Sequence, residues 1–490
     1  MLKYKKDCMS LLKKIFYRGI VTVDYIFLWI YQGGISMTSK NKSVDMCNGP
    51  LTKKIIFFTI PIIISGILQL FFNAADMVVV GRFSGDISLA AVGSTASLTN
   101  LMVNLFMGFS VSAGITITHA IGAKQSRDIH EIVHTAVPTS LISGLIVGII
   151  GVSFAPTFLK LMGTPSEVLP KASLYLRIIF AGMPANMIYN FGASMLRATG
   201  ETKKPLYYLI FSGSLNVILN LIFVIFLHMD VAGVALATII SQILSAFLII
   251  RNLMRGNEYF KLNLKQLRIH KQKLMRIISI GLPAGIQGSL FSISNVLIQS
   301  SINTFGPSAI AGNSAAASIE NFVYIVMNSF YQSTITFSGQ NMGAKKYGRI
   351  TKVMLTCLSI VLICGGISGE VVYRFGRPLL SIYCPGNPDA ITVGLEKLSI
   401  VCRFYFICGI MEVMTGVLRG MGYSMISMFV SLFGACFLRV AWIYTIFAKF
   451  HTLKCLFISY PVSWMIVFVI DVIIYCFLYK NLQKKQRNIS

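Results

Sequence analysis

Long apolar segments alternate with short polar loops along almost the whole chain. Most of these segments are long enough for a helix to cross about 30 Å of hydrocarbon. Because backbone groups in a bilayer must be satisfied within the protein, such continuous segments favour helices over a β-barrel. The pattern predicts twelve spans, at residues 53–80, 89–117, 131–158, 169–195, 205–228, 231–254, 275–302, 308–339, 350–378, 390–418, 423–449 and 453–479.

Composition also indicates an integral membrane protein. Of the 490 residues, 55% are hydrophobic and 12% are charged, whereas soluble proteins carry about 25% charged residues. The net charge of +26 lies mainly in short loops, so we expect membrane lipid, and no nucleic acid, around the chain. The ten cysteines are scattered without a CxxC pair, which indicates packing residues rather than a disulfide framework or a metal site.

The distribution of Lys and Arg predicts the orientation. With both termini on one side, the loops and tails of that side hold 32 basic residues, including Arg419, and the opposite loops hold seven. Basic loops stay in the cytoplasm. We therefore expect a multi-pass protein of the cell membrane with both termini cytoplasmic.

Residues 1–48 do not continue the pattern and form an N-terminal extension. Their apolar stretch at 20–31 is interrupted by Asp24, is short for a span and lacks the cleavage site of a signal peptide. Two interpretations stay open: translation starts at Met37, or the extension forms an amphipathic helix on the membrane surface.

An internal repeat divides the chain into two halves. Gly-Ala-Lys triplets begin at Gly122 and Gly343, 221 residues apart, and Arg197 and Arg419 each begin a similar turn. Six spans per half return the chain to the same side, so the halves are parallel repeats related by a pseudo-two-fold axis, with a substrate site expected between them. The predicted regions are an N-terminal lobe at 49–254, a cytoplasmic linker at 255–274, a C-terminal lobe at 275–480 and a basic tail at 481–490.

The first span carries the leading candidate for ion coupling. Gln69, Asn73 and Asp76 follow helical spacing and share one face. A carboxylate inside a membrane is costly unless it is paired or hydrated, so Asp76 is a functional candidate. The alternative is an aspartate at the span end that reaches water. Pro61 and Pro283, in the first and seventh spans, are candidate hinges because proline removes a helical hydrogen bond.

Three polar residues of the fifth and sixth spans are candidate partners of that carboxylate. Asn216 and Asn220 lie four residues apart, and Thr238 lies in the next span. Their oxygens suit a hard cation or a protonated acid. The alternative is ordinary hydrogen bonding between membrane helices.

Polar faces in the second half predict a hydrated substrate cleft. Glu412 in the tenth span is a further, weaker candidate, as are Asp471 and Tyr475 in the twelfth. Arg403 could neutralise a carboxylate on another helix. Helix packing is the alternative for the whole group. The cleft residues are Asn295, Gln299 and Asn303 in the seventh span and Glu320, Tyr324, Asn328 and Gln332 in the eighth.

An HExxH motif is the main indication of an enzyme. His130 and His134 could hold zinc, with Glu131 as general base. No third ligand is apparent, and the corresponding part of the second half lacks the motif, so we expect a solvated helix start and no metal. No Walker A motif or nucleotide-binding domain is present, so we expect no cofactor and an ion gradient as the energy source.

Several segments together resemble the multidrug and toxic compound extrusion family over about residues 50–480. They are NAADMVVVGRFSGDISLAAVG at 73–93, MLRATGETKKP at 195–205, LNVILNLIFVI at 215–225, VAGVALATIISQ at 231–242 and GQNMGAKKYGR at 339–349. The resemblance implies an all-α transporter with two six-helix lobes that form a V. It also implies export of cationic or amphipathic small molecules in exchange for H⁺ or Na⁺, by a protein that we expect to be a monomer.

The resemblance further implies an ion site at Asp76, Asn216, Asn220 and Thr238. The family pattern has a second carboxylate where this chain has Asn220, so Asp76 alone carries coupling in this lobe or the carboxylates of the other lobe share it. A lipid-linked-sugar flippase is the main alternative, although it needs a cationic cleft for pyrophosphate. A metalloprotease and a channel are more distant alternatives.

Overall fold

The computed structural model describes residues 45–256 and 260–487, except the side chains of Ser97 and residues 485–487. Within these ranges every regular element is helical. The N-terminal extension up to residue 44, with the alternative start at Met37, lies outside the described residues, as do residues 488–490. The described residues belong to one compact unit.

Six helices form the first lobe. The fourth is broken at Gly182, which lies between two short pieces. The fifth ends in a turn of π-helix over Ile222–Phe226. The helices are α1 (Leu51–Phe83), α2 (Asp86–Gly122), α3 (Ser126–Leu161), α4 (Leu169–Ala181 and Met183–Ala198), α5 (Lys203–Phe226) and α6 (Asp230–Met254).

Six further helices form the second lobe after a linker that contains a short 3₁₀ turn at Leu264–Gln266. The predicted ninth span ends earlier than expected, at Arg374, and a separate short helix, Gly376–Tyr383, follows it. The helices are α7 (Lys271–Asn303), α8 (Pro307–Gly343), α9 (Tyr347–Arg374), α10 (Pro388–Cys402 and Tyr405–Gly420), α11 (Ser424–Phe450) and α12 (Leu453–Arg487).

Nine helices in the described ranges are long and apolar enough to cross a membrane, and α10 makes ten if its pieces, bent by 43°, count as one span. The pieces of α4 have only 13 and 16 residues. Helix α8 has 37 residues but carries many Ser, Thr, Asn and Gln side chains, most of them buried within the protein. All twelve predicted spans are therefore present as helical segments, in a two-lobe architecture.

Matching turns confirm the repeat at the level of the backbone. Positive φ angles recur at equivalent places, before α2 and α8, after their C-terminal ends, and after α4 and α10. The glycines adopt this conformation without steric cost, whereas the two lysines belong to the Gly-Ala-Lys turns. The pairs are Gly85 (φ 82°) and Gly306 (φ 90°), Lys124 and Lys345 (φ 56° each), and Gly200 (φ 89°) and Gly422 (φ 95°).

The first helix of each lobe begins against the other lobe. In α1, Ile55 and Phe58 are buried in the core of the second lobe, whereas Val79 belongs to the core of the first. In α7, Ile277 is buried with the first lobe and Ile298 with the second. Helices α1 and α7 therefore connect the two lobes mechanically.

Close backbone contacts join the lobes at the end that carries the Gly-Ala-Lys turns. Gly122 lies against the carbonyl oxygen of Gln340, and Gly343 lies against that of His119, so closely that a Cβ atom at either glycine would overlap the oxygen. Gln340 Nε2 also donates to the carbonyl oxygen of Ala198 at 2.8 Å. Only glycine permits this approach, which explains the triplet in both halves.

Candidate coupling site and substrate cleft

Asp76 ends a chain of hydrogen bonds that joins three helices of the first lobe. Asn220 Nδ2 donates to Asp76 Oδ1 at 2.5 Å and is 3.3 Å from Asn216 Oδ1. Asn216 Nδ2 donates to Thr238 Oγ1 at 3.3 Å, and Thr238 donates to the carbonyl oxygen of Val234 at 2.9 Å. The structure thus brings together α1, α5 and α6 through four of the predicted coupling residues.

The hydrogen bond that Asp76 accepts favours its charged form. Asn220 Nδ2 is within donor distance of both Asp76 Oδ1 and Asn216 Oδ1, and a hydrogen bond to a charged group contributes about 1.5–3 kcal/mol. Asn220 is fully buried, and its Oδ1 has no partner among the described residues. Rotation of this amide would offer that oxygen to a protonated Asp76 or to a cation. The site therefore centres on one carboxyl group and one amide that can either donate to it or accept from it.

The other predicted residues of α1 lie outside this chain. The side chains of Asn73 and Gln69 are exposed on the protein surface, and Asn73 makes no hydrogen bond to Asp76. Pro61 lies inside α1, and Pro283 lies inside α7, each between the parts of its helix that contact different lobes. Both helices continue through the proline, and the hinge role stays a prediction.

Helix α8 presents a ladder of neutral polar side chains. Gln332 Nε2 donates to Asn328 Oδ1 at 3.1 Å, and Asn328 Nδ2 is 3.4 Å from the hydroxyl oxygen of Tyr324. Ile325 of the same helix lies against Gly66 of α1, so the ladder runs beside the contact between α8 and the first helix of the other lobe. The ladder is suited to binding a small molecule between the lobes.

Helix α7 carries a second polar group. Gln299 Nε2 donates to Asn303 Oδ1 at 2.9 Å, and Asn313 of α8 donates to Gln299 Oε1 at 2.7 Å. Asn295 is exposed and takes no part in these bonds. Gln299 therefore connects α7 to α8 and Asn303 bonds to Gln299 within α7, as packing residues of the second lobe would.

Glu320, a predicted cleft residue, has its carboxylate engaged in a buried ion pair. Its Oε2 lies 3.1 Å from Lys397 Nζ of α10, and the two side chains are 14% and 6% exposed. The pair is buried because helical spacing turns Glu320 towards α10. Lys397 was missed, although a lysine inside a predicted apolar span signals a buried partner.

The second lobe holds further charged groups, some buried and some exposed. Glu412 of α10 is half-buried and forms no ion pair within the described residues. Arg439 of α11 is buried, donates to Ser463 at 2.9 Å and lies 4.4 Å from the ring centre of Tyr460. As expected, Arg403 contacts a carboxylate on another helix, Glu370 of α9, at 3.1 Å. These charged side chains all belong to the second lobe, whereas the polar site of the first lobe centres on Asp76.

Arg419 does not belong to a loop, as its use in the orientation count assumed. It lies in the last turn of α10, is 7% exposed and donates to Tyr331 of α8 and to Gln287 of α7. A guanidinium group buried beside neutral polar groups indicates a structural or mechanistic role, because burying a charge is costly.

The HExxH motif attaches the linker to α3. His134 is fully buried, its Nδ1 is 2.8 Å from the carbonyl oxygen of His130, and its Nε2 accepts from the backbone N–H of Asn263 at 3.1 Å. Glu131 lies 3.0 Å from Arg127. No group of three or more potential metal ligands occurs in the described part of the chain. Both ring nitrogens of His134 are thus engaged, Nδ1 within α3 and Nε2 with the linker.

A cavity of about 640 Å³ lies between the lobes at the Gly-Ala-Lys end. His119, Lys273, Arg276 and Tyr423 are among its lining residues. Arg276 donates to His119 Nδ1 at 2.8 Å, and His119 Nε2 lies 2.6 Å from the carbonyl oxygen of Gly420. None of the predicted coupling or cleft residues lines this cavity, so it belongs to the closed contact between the lobes.

Two repeated six-helix lobes, a polar ladder beside the lobe interface and a carboxylate held between three membrane helices define an integral membrane transporter. The MatE family model matches residues 61–222 and 283–445, once in each lobe. The chain therefore belongs to this family, the multidrug and toxic compound extrusion transporters, and is not an enzyme.

Known proteins are similar over most of the chain. The probable multidrug resistance protein YoeA of Bacillus subtilis is 26% identical over 436 residues, which cover 87% of this chain and 94% of that protein. The multidrug export protein MepA of Staphylococcus haemolyticus is 23% identical and covers 76% of this chain, with 81% of its own length matched. A solved multidrug resistance MATE transporter in its outward-facing conformation superimposes with a TM-score of 0.84 at 21% identity, covering 91% of this chain and 100% of that one.

Proposed function

We propose that the protein exports cationic or amphipathic small organic molecules across the cell membrane in exchange for H⁺ or Na⁺, by alternating access. The observation that carries this proposal is the hydrogen-bonded chain from Asp76 to Thr238. Its family relatives are named for multidrug resistance and multidrug export, which supports this substrate class.

Asp76 is the coupling group because its charge is linked to three helices. While it is ionised, the amide of Asn220 holds α1 against α5. Binding of a proton or a cation removes or compensates this charge and weakens that hydrogen bond. A ligand shifts a conformational equilibrium by its difference in affinity between the two states. The loss of about 1.5–3 kcal/mol at one charged hydrogen bond is enough to change the favoured state.

The lobes in this structure are closed at the Gly-Ala-Lys end. The Lys and Arg distribution places that end in the cytoplasm, even without Arg419. We therefore assign the conformation to the outward-facing state, in which substrate leaves and the coupling ion enters. In the opposite state the contact between Gly122 and Gln340 would open and admit substrate to the ladder of α8.

The ladder of Tyr324, Asn328 and Gln332 favours export of drug-like molecules over flipping of a lipid-linked sugar. Its groups are neutral, whereas a pyrophosphate needs cationic partners. The buried cations nearest to α8 are already engaged, Lys397 by Glu320 and Arg419 by neutral groups of α7 and α8.

The proposal is tested by ethidium efflux from cells that lack their own pumps. Wild type should extrude the dye, and Asp76→Asn should not respond to an imposed gradient, because an amide cannot change its charge. Asp86→Asn is the matched control, since Asp86 is exposed in the first turn of α2. Equal expression of the three proteins is checked in membranes.

Separate Na⁺ and pH gradients in inverted vesicles identify the coupling ion. Dye movement driven by one gradient alone assigns that ion. Efflux by Asp76→Asn that stays as fast and as gradient-dependent as in wild type would remove Asp76 from the mechanism. Absence of ethidium movement in wild type under both gradients would reject the assigned substrate class.

A further inference from the structure

Helix α12 carries a fully buried carboxyl group that the proposed cycle does not use. Asp471 is 0% exposed. Its Oδ2 accepts a hydrogen bond from Thr415 Oγ1 of α10 at 2.9 Å. Its Oδ1 is buried and has no partner among the described residues. One neutral donor is little compensation for an ionised group in a membrane interior.

The charged group facing this carboxyl is Arg419. It follows Thr415 by one turn on α10, and its two Nη atoms are held by Tyr331 and Gln287. Its Nε is buried without a partner in the described ranges. No nitrogen of Arg419 lies within ion-pair distance of Asp471, so the guanidinium group does not pair with this carboxyl group in the present state.

The other titratable groups around Asp471 are Glu412 and Tyr475. Glu412 lies on α10, one turn before Thr415. Tyr475, one turn along α12, shares a hydrogen bond of 2.8 Å with Thr351 of α9. Neither provides a positive charge. A neutral, protonated Asp471 is therefore the favoured form while Arg419 is held elsewhere.

The groups that hold Arg419 lie at the contact between the lobes. Tyr331 is buried in a cluster with Ile115 of α2 and Ile280 of α7. Rocking of the lobes rearranges this cluster, and with it the hydroxyl that Arg419 contacts. At the equivalent place in the first lobe, 222 residues before Asp471, Ile249 is fully buried, so only the second lobe has this acid.

We propose that Asp471 is a second proton-binding site of the transporter, with Arg419 as its positioning residue. In the present state the proton stays on the carboxyl group and Arg419 binds Tyr331 and Gln287. When the lobes rock, Arg419 turns to Asp471, the proton leaves to water that enters the opened interface, and the resulting carboxylate pairs with the guanidinium. This inference rests on the proposed function in that protons drive the cycle.

Infrared difference spectroscopy tests the site without any transported substrate. The full chain in lipid nanodiscs should show a protonated-carboxyl stretch that disappears as pH rises. Asp471→Asn should lose part of that band, and Asp471→Glu should retain it. Asp389→Asn is the control, because Asp389 is exposed at the start of α10. An unchanged band in Asp471→Asn overturns the proposal.

Proteoliposomes then measure protons moved per ethidium. Asp471→Asn should reduce this ratio by half while ethidium is still transported, and Arg419→Gln should do the same with the carboxyl band intact. An unchanged ratio in Asp471→Asn rejects the coupling role. If wild type moves no ethidium, the proposed function fails, and the infrared result still decides whether Asp471 binds a proton.

Thr415→Val provides an independent test of the site if the variants of Asp471 do not fold. It removes the one donor to the carboxyl group and keeps the acid. The infrared band should then persist and disappear at a higher pH than in wild type, because the charged form has lost its hydrogen bond. A band with unchanged titration contradicts the assignment to Asp471.

Discussion

Replacing Arg349 with alanine should release the strap, which we define as residues 45–49, from the second lobe. Arg349 Nε donates to the carbonyl oxygen of Met46 at 3.2 Å, and Nη2 donates to that of Gly49 at 2.8 Å. The side chain of Met46 is fully buried in the core of the second lobe. Because the strap leads directly into α1, this contact helps to hold the lobes together at the Gly-Ala-Lys end.

The size of the effect follows from two hydrogen bonds. Each bond contributes about 0.5–1.5 kcal/mol, so Arg349→Ala should cost about 1–3 kcal/mol in total. That free energy corresponds to about a 5- to 150-fold shift between the bound and released strap. The lower part of this range is expected, since Arg349 is partly exposed and water replaces some of the lost bonding.

Maleimide labelling of Cys47 measures the released fraction, in a protein whose other cysteines have been replaced. Burial is the main cause that raises the pKa of the Cys47 thiol, and the charge of Asp45 raises that pKa further. The charges of Lys346 and Arg349 lower it. Release should therefore lower the pKa and speed labelling, although loss of the Arg349 charge offsets part of the gain. Lys352→Ala, an exposed cation one turn further along α9, is the control. Labelling of Arg349→Ala at the wild-type rate would refute the reasoning.

Three further substitutions test other contacts. Gly343→Ala should destabilise the closed state by about 1–3 kcal/mol, because its Cβ would overlap the facing carbonyl oxygen of α2, and should reduce ethidium efflux. The control, Gly348→Ala, should transport ethidium normally because its Cβ would meet open space. Equal efflux by both variants would reject the close contact. Lys397→Met should destabilise the protein by about 3–5 kcal/mol because Glu320 stays buried without its partner. Adding Glu320→Gln to this variant should restore the melting temperature, and an unrestored melting temperature would exclude the ion pair as the cause. His134→Ala should expose the linker to proteolysis without changing the zinc content, and loss of bound zinc would show that the motif holds metal.

The number of helices and the repeat could be predicted from the chain, since they depend on local properties. A segment of about 20 apolar residues must form a helix in lipid whatever surrounds it. The Gly-Ala-Lys triplets also had a direct physical consequence, because each marks a close backbone contact between the lobes. The link between Asp76 and Asn220 could be expected from polarity alone, as each needed a partner away from lipid.

The partners of the remaining charged residues were decided only by the tertiary structure. In a bilayer, lipid-facing and core-facing sides of a helix are both apolar, so the hydrophobic pattern does not show which way a helix is turned. The rotation of α8 and α10 pairs Glu320 with Lys397 and leaves Tyr324, one turn along α8, partly exposed. The same rotation buries Arg419 between α7 and α8.

The amino-acid sequence by itself therefore determined how many helices cross the membrane, how they repeat and which side chains need a polar partner. Only the assembled helices decided which partner each received, because that choice depends on the facing of helices that are far apart in the chain.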